Sequence, residues 1–140
     1  MPHPEPLKAV FFDIGGTLGV VSVDSHGFKL EPFPSSPALL QCAGQVLGLR
    51  VGIITNIPPE MTSDGVRRLL DAAGLLPLLD DAAIITSRDA DASKPDPKIY
   101  RLAAQRIGLP IGQCLYVGED SKEVAGAQAA GMAGMVKPAA

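Results

Sequence analysis

The chain has 140 residues, a formal net charge of −3 and a sequence pI of about 5.2. This length is enough for one domain with a substantial buried core. The acidic balance, without any basic run, argues against a nucleic-acid partner. Aromatic residues make up 4% and Trp is absent, so the core must be built from Leu, Val, Ile and Ala.

The cysteines and the N-terminal segment bear on the compartment. Cys42 and Cys114 are far apart, in apolar segments and without metal-ligand spacing, so we expect two buried, reduced thiols. Residues Met1 to Pro6 carry no long apolar stretch. We therefore expect no signal peptide, no membrane span, no membrane partner and a cytoplasmic location.

Apolar runs alternate with amphipathic segments along the chain. The pattern predicts four strands, with a candidate fifth at the end: 8–13, 50–55, 82–86, 114–118 and 132–136. Helices are predicted between them: from Ser36-Pro37 to Leu47, at 59–73, from Asp96-Pro97 to Ile107, and at 120–130. Residues 19–34 indicate a loop or a short hairpin. We therefore predict a single α/β domain over 1–140, a Rossmann-like three-layer sandwich around a mostly parallel sheet of about five strands.

Polar residues follow the predicted strands at positions where a core would not place them. They are Asp13, the pair Thr55-Asn56, Lys94 in the 86–94 loop, and the pair Glu119-Asp120. Because the carboxyl ends of parallel strands share one edge of the sheet, we expect these side chains to converge in one pocket. Asp13 and Glu119 would repel each other there unless a cation lay between them, and Mg²⁺ suits carboxylates, a backbone carbonyl and a phosphate oxygen.

The remaining groups complement this metal site. Asp13 can act as a nucleophile toward phosphorus, and Lys94 supplies a positive charge for a transferring phosphoryl group. Thr55 offers a hydroxyl, while Gly15 and Gly16 allow backbone N–H groups to approach an anion closely. The pattern thus predicts a phosphoryl-transfer site.

Four segments resemble the motifs of the haloacid dehalogenase superfamily, in the family's order and over nearly the whole chain. They are Asp13-Ile14-Gly15-Gly16-Thr17-Leu18, Ile54-Thr55-Asn56, Lys94-Pro95-Asp96-Pro97-Lys98-Ile99-Tyr100, and Val117-Gly118-Glu119-Asp120-Ser121-Lys122-Glu123, running on to Ala130-Gly131-Met132. The resemblance implies a Rossmann-like core, Mg²⁺, a phosphorylated substrate and an aspartyl-phosphate intermediate.

The resemblance also assigns roles. It implies Asp13, Thr55 and Lys94 as catalytic residues, with Asp13 the nucleophile, and Gly16, Thr55, Asn56 and Lys94 as the phosphate-binding set. It implies a metal site formed by Asp13, the Gly15 carbonyl, Glu119, Asp120 and Glu123, with Glu119 in place of the family's aspartate. Asp120 and Glu123 also form a capping-box pattern, which favours a structural role for Asp120.

Position 15 departs from the family's pattern. Family phosphatases carry an aspartate two residues after the nucleophile, which protonates the leaving oxygen and then activates water, and Gly15 can do neither. A positioned general acid–base group contributes a factor of about 10²–10⁴ in rate, or about 3–5 kcal/mol. The resemblance therefore implies a hydrolase of reduced activity, with slow turnover above all of acyl or aryl phosphates.

A cap domain is also missing, because the segments between Asp13, Thr55 and Lys94 are too short to hold one. Family members without a cap have open sites that act on large substrates or are covered by another subunit. The substrate can thus be small or macromolecular, and a homo-oligomer or a protein partner could cover the site.

Other interpretations stay open. The chain could be a catalytically inactive binding or regulatory module, or a switch that keeps a phosphoryl group on Asp13. His26 could replace the missing acid–base group, although a solvated loop histidine is the simpler interpretation. Ser87-Arg88-Asp89 could touch substrate, with a charged surface loop as the default.

Overall fold

The computed structural model describes residues 5–138. Its centre is a five-stranded sheet in the order β5-β4-β1-β6-β7, and the pairings between neighbouring strands are all parallel. The strands are β1 (Ala9–Phe12), β4 (Arg50–Thr55), β5 (Ile84–Thr86), β6 (Cys114–Gly118) and β7 (Ala133–Val136). The predicted α/β fold with a parallel sheet of five strands is confirmed.

Helices cover both faces of the sheet and create two cores. On one face, α1 (Ser36–Gln41) and α2 (Ser63–Ala72) bury one set of strand residues. On the other face, α3 (Ser87–Ala90), α4 (Pro97–Arg106) and α5 (Ser121–Ala129) bury the alternate set. Successive strand residues point to opposite faces, so β1, β4, β5 and β6 each contribute to both cores. The result is the predicted three-layer arrangement.

A two-stranded antiparallel hairpin follows β1 and forms a sheet of its own. It consists of β2 (Gly19–Asp24) and β3 (Gly27–Pro32), so the alternative of a short hairpin for residues 19–34 is the correct one. Its base is joined to the main domain at Leu18, whose carbonyl oxygen accepts hydrogen bonds from the Phe33 N–H at 2.9 Å and from the Ser36 hydroxyl at 2.7 Å.

The first helix differs from its prediction. Its N-cap is Ser35 and not Ser36, and the α-helix ends at Gln41, where a π-helical turn, Cys42–Val46, takes over. The wider turn breaks the helical spacing, so Val46 and Leu47, predicted to face inward, are 76% and 64% exposed. Cys42 is likewise exposed, which makes the prediction of two buried thiols wrong for it and right for Cys114.

Residues 87–89 are helical and not a loop. Thr86 caps α3 through a reciprocal capping box, in which its hydroxyl accepts a hydrogen bond from the Asp89 N–H and the Asp89 carboxylate accepts one from the Thr86 N–H. Ser87 is buried. The capping box thus fixes the start of this short helix.

Two observations concern the ends of the chain and its helices. Residues 1–4, part of the N-terminal segment for which we expect no signal peptide, lie outside the described residues, as do residues 139–140. Among residues 5–138, the helices lack the length and apolar character needed to cross a bilayer.

Candidate active site

Lys94 is the centre of a buried polar cluster at the carboxyl edge of the sheet. Its side chain is 1% exposed. Its ammonium nitrogen, Nζ, lies 3.0 Å from Asp13 Oδ1 and 2.8 Å from Glu123 Oε1. It also donates hydrogen bonds to the Ile54 carbonyl at 2.9 Å and to the Tyr116 hydroxyl at 2.7 Å. Four oxygen atoms thus surround three N–H donors, which satisfies the desolvated charge and fixes its position.

Backbone contacts place Lys94 as firmly as its side chain does. The Asn56 side chain spans the lysine's peptide groups: its Oδ1 accepts from the Lys94 N–H at 2.8 Å, and its Nδ2 donates to the Lys94 carbonyl at 3.2 Å. Asn56 follows β4, so this pair of hydrogen bonds joins the loop that carries Lys94 to the central sheet. Asn56, predicted to bind phosphate, is here engaged with the lysine backbone.

Tyr116 supports the same cluster from β6. Its hydroxyl accepts from Lys94 Nζ and donates to Glu123 Oε1 at 3.2 Å. Its ring is fully buried, with the lysine nitrogen 5.0 Å from the ring centre. Burial, followed by the negative charges of Asp13 and Glu123, raises the pKa of Tyr116 far above its usual range. The hydroxyl therefore stays protonated at neutral pH and can donate its hydrogen bond.

Asp13 stands where β1 ends and is 15% exposed. Its backbone N–H donates to the Val117 carbonyl of β6 at 3.0 Å, and its Oδ1 accepts from the Ile14 N–H at 2.8 Å. The strand thus presents the carboxylate toward Lys94 with one oxygen occupied by two donors. Thr55, at the end of β4, lies beside it in the same cavity and is 6% exposed.

The turn after Asp13 contains two glycines with different surroundings. A Cβ added to Gly15 would meet no atom within 4 Å apart from its chain neighbours, and the residue does not have a positive φ. Gly16 has φ +77°, and a Cβ there would lie 2.6 Å from Glu119 Cδ. The Glu119 carboxylate therefore rests directly against the turn, and the Gly16 N–H already donates to the Gly19 carbonyl at 2.8 Å.

The donor chemistry suits Mg²⁺. Asp13 and Glu123 carry two negative charges against the one positive charge of Lys94, and Glu119 adds a third negative charge at the same edge. A phosphoryl substrate would be repelled by this excess unless a cation balanced it. Mg²⁺ is commonly held by one or two carboxylates together with substrate oxygens and water. Three or more acidic, His or Cys side chains do not gather into a ready-made metal cluster within residues 5–138.

The polar cluster opens into a cavity of about 290 Å³. Asp13, Gly15, Thr55 and Lys94 line its polar part. Its other part is apolar and combines the hairpin, the segment after β4 and helix α2: Val21, Phe28, Ile57, Pro58, Met61, Val66 and Leu69. Asp13, Thr55, Asn56 and Lys94 thus line one cavity as predicted, whereas Glu119 and Asp120, predicted to converge with them, do not line it.

Several sequence-predicted residues lie outside the cavity or make a contact other than the predicted one. Asp120 is the N-cap of α5 and accepts a hydrogen bond from the Lys122 N–H at 2.8 Å. Glu123 does not complete a capping box, because its carboxylate is turned to Lys94. His26 is exposed at the hairpin tip and does not line the cavity, and Ser87 accepts a hydrogen bond from the Ile57 N–H away from it.

Sequence reasoning missed Tyr116, Tyr100 and the apolar wall. The Tyr100 hydroxyl donates to the Glu123 backbone carbonyl at 2.6 Å, and its ring packs edge-on against Tyr116 with centres 5.6 Å apart. One signal was available: a buried tyrosine hydroxyl needs a polar partner. The chain has only two tyrosines, and Tyr100 ends the third resembling motif while Tyr116 directly precedes the fourth.

Comparison with known proteins agrees with this geometry. A family model described as haloacid dehalogenase-like hydrolase matches residues 27–131, and the chain belongs to that family. A phosphatase of Mycobacterium tuberculosis is 35% identical over 113 residues, which cover 81% of this chain and 49% of the relative. A phosphoglycolate phosphatase of Xylella fastidiosa is 39% identical over 101 residues, covering 69% of this chain and 38% of the relative. The chain thus spans half or less of the length of these relatives.

Solved structures share the fold. A phosphatase of the same family from Thermococcus onnurineus has a TM-score of 0.63 and 30% identity, covering 79% of this chain and 47% of its own. An uncharacterized protein from Listeria monocytogenes has a TM-score of 0.77 and 22% identity, covering 94% of this chain and 79% of its own. The second comparison shows the fold alone.

Proposed function

We propose that this chain is a Mg²⁺-dependent phosphohydrolase without a cap domain that transfers a phosphoryl group to Asp13. The observation that carries the proposal is the 3.0 Å contact between Asp13 Oδ1 and the buried ammonium of Lys94, at the polar end of an open cavity. A carboxylate that is held in place beside a fixed positive charge is suited to attack a phosphoryl group, because the lysine offsets the charge that the two anions bring together.

Each residue of the cluster has its own role in the proposed reaction. Asp13 attacks phosphorus, the bond between phosphorus and the leaving oxygen of the substrate breaks, and an aspartyl-phosphate forms. Lys94 neutralises the nucleophile and a phosphate oxygen. The Thr55 hydroxyl donates to a second phosphate oxygen. Asp13, the Gly15 carbonyl and Glu119 would hold Mg²⁺, which would supply positive charge for the phosphate oxygens. Water then attacks the aspartyl-phosphate and regenerates Asp13.

The rate is expected to be low. The open space beside Gly15 holds no side chain that could protonate a leaving group or activate water. The phosphatase relatives support the reaction class, and the substrate, the intermediate and the metal are parts of the proposal.

The test is turnover of a panel of phosphate esters by the purified chain with Mg²⁺, with the metal removed by chelation in parallel. Asp13→Asn keeps the shape of the side chain and should abolish turnover. Asp71→Asn, at an exposed position on α2, is the matched control and should have no effect. The absence of Mg²⁺-dependent, Asp13-dependent turnover across the panel would reject the proposal.

One observation favours a second candidate, an inactive binding module: Gly15 stands where family phosphatases have their acid–base group. Such a module would bind Mg²⁺ or inorganic phosphate at the Lys94 cluster without turnover. Calorimetric binding by wild type, lost in Asp13→Asn and unaccompanied by product, would favour this second candidate over hydrolysis.

A further inference from the structure

The cavity beside Asp13 has two walls of opposite character. The apolar wall combines residues from three parts of the chain: Val21 and Phe28 from the hairpin, Ile57 and Met61 from the segment after β4, and Leu69 from α2. Val21 and Phe28 lie on the hairpin face that also carries the buried Leu30, and each is 37% exposed, so both are accessible to a bound molecule. Whatever is attached to the phosphoryl group must therefore contact mainly apolar surface.

The same wall offers nothing to an anionic substituent. Lys94 is the one cation that lines the cavity among residues 5–138, and Asp13 and Glu123 already surround it. Lys29 and Arg68 line a neighbouring groove that shares Phe28, Met61 and Leu69 with the cavity, but they do not line the cavity itself. A carboxylate on the leaving group would be desolvated here without a partner, which is unfavourable.

The space beside Gly15 adds an independent constraint. A leaving group that departs without a proton must be stable as an anion. A phenol has a pKa of about 10, whereas an alcohol is close to water in acidity and its alkoxide is a far stronger base. The missing donor thus selects for a phenolate, and the apolar wall accommodates an aromatic ring.

We propose that the substrates of this site are aryl phosphates, esters of an uncharged phenolic group. The inference rests on the proposed function and names its substrate class. The ring packs between Phe28 and Met61 while the phosphoryl group lies between Asp13 and Lys94. An Asp13 oxygen bonds to phosphorus, the phosphorus–oxygen bond to the ring breaks, and its electron pair leaves with the phenolate, which takes a proton from solvent. Water then attacks phosphorus, the bond to Asp13 breaks, and inorganic phosphate is released.

The experiment compares two esters of the same ring size, phenyl phosphate and cyclohexyl phosphate, which differ in leaving-group basicity. We expect kcat/KM to favour phenyl phosphate by at least about 10²-fold in the wild type, the smallest effect of a missing general acid. Gly15→Asp should narrow this ratio by raising the cyclohexyl rate more. Equal rates for the two esters in the wild type would overturn the inference.

The wall is tested separately with Val21→Ala and Phe28→Ala. Each should lower kcat/KM for phenyl phosphate by about 5- to 10-fold through lost apolar contact. Val20→Ala, on the opposite face of the same strand and 57% exposed, should leave it unchanged. Thermal unfolding of each variant confirms that the hairpin still folds. Equal effects of Val20→Ala and Val21→Ala would also overturn the inference.

Acetyl phosphate, which has a good leaving group and no ring, separates this inference from the proposed function. Asp13-dependent hydrolysis of acetyl phosphate, together with the preference for phenyl over cyclohexyl phosphate, supports the inference. Acetyl phosphate hydrolysis without a preference for phenyl over cyclohexyl overturns the inference and leaves the proposed function intact. If Asp13 reacts with neither acetyl phosphate nor phenyl phosphate, both fail.

Discussion

The two sides of the Asp13 carboxylate could hardly differ more in how densely they are filled. Around Lys94, which contacts this carboxylate, four oxygen atoms lie within 3.0 Å of Nζ, and the lysine side chain is 1% exposed. Toward the hairpin, a Cβ on Gly15 would find no neighbour within 4 Å beyond the adjacent residues. The fold thus organises the charge that a phosphoryl group needs and provides no proton donor on the opposite side.

This difference separates binding from proton transfer. Charge neutralisation depends on a buried network with many partners, so it can be removed only at the expense of stability. Proton transfer depends on a single side chain at an accessible position, so it can be added or removed without disturbing the fold. Variants on the two sides should therefore behave differently, and the following predictions measure that difference.

The largest effect is expected for Lys94→Met. Removing one partner of a buried ion pair leaves Asp13 and Glu123 desolvated and mutually repulsive, which should lower the free energy of unfolding by about 3–5 kcal/mol and abolish turnover. Lys98→Met, at an exposed position on α4, is the control and should change stability little. Urea unfolding of both variants checks the prediction, and similar losses in the two would contradict it.

Gly15→Asp should raise turnover by about 10²–10⁴-fold by supplying the absent acid–base group. Because position 15 has open space and ordinary backbone geometry, stability should change little. Gly15→Asn has nearly the same shape and cannot exchange a proton at neutral pH, so it should not raise turnover. Steady-state kinetics on an alkyl phosphate checks this, and an equal gain in both variants, or a gain that survives Asp13→Asn, would speak against it.

Tyr116→Phe, a change within the Lys94 cluster, should have a moderate effect on stability and on kcat. Loss of the hydroxyl takes one acceptor from Lys94 and one donor from Glu123, with a cost of about 1–3 kcal/mol and a lower kcat. Tyr100→Phe is the matched variant, since its hydroxyl contacts only the backbone of Glu123. It should lower stability without the same fall in kcat. If the two variants reduce kcat equally, Tyr116 does not position the lysine.

The smallest effect concerns a polar cluster outside the cavity. Burial raises the pKa of Asp89, but hydrogen bonds from Thr86 and Ser63 and the charge of Arg106 outweigh it and hold the pKa below its usual range. The unfolded chain then binds the proton more readily, so this stabilisation is complete above about pH 5 and is lost as the pH falls below about 4.

Asp89→Asn should flatten the loss of stability between about pH 5 and pH 3 and weaken the α3 cap by about 1 kcal/mol at neutral pH. Asp91→Asn is the control, because Asp91 is exposed and its left-handed backbone, φ +50°, tolerates asparagine. Unfolding curves at several pH values check this. If the free energy of unfolding falls equally steeply with pH in the wild type and in Asp89→Asn, Asp89 does not contribute in this way.

The sequence predicted the sheet and the pocket because both follow from periodicity and topology. Apolar runs marked the strands, and the rule that parallel strands end at one edge brought Asp13, Thr55 and Lys94 together. The depth of Lys94 was not predictable in this way. A lysine before a proline in a polar loop is usually solvated, and only the three-dimensional approach of Tyr116 and Ile54 provides the acceptors that allow burial.

The residues that the sequence analysis placed wrongly or missed can also be explained by their local surroundings. In the π-helical turn after Gln41, each hydrogen bond reaches one residue further along the chain than in an α-helix. The residue types in that segment do not predict this turn. Glu123 fits both a capping box and a contact with Lys94, and side-chain spacing alone does not choose between them. The apolar wall was missed because Val21 and Phe28 belong to a hairpin whose packing direction depends on tertiary contacts.

The attachment of the hairpin has a practical consequence. Because β2 and β3 pair only with each other among the strands described, and their base is fixed near Leu18, twelve strand residues can be exchanged as one cassette. Replacing this hairpin with one of another sequence would change the part of the cavity wall that the hairpin supplies. Asp13 and Lys94 would stay in place. The domain is thereby a compact starting point for directed evolution of phosphatase selectivity.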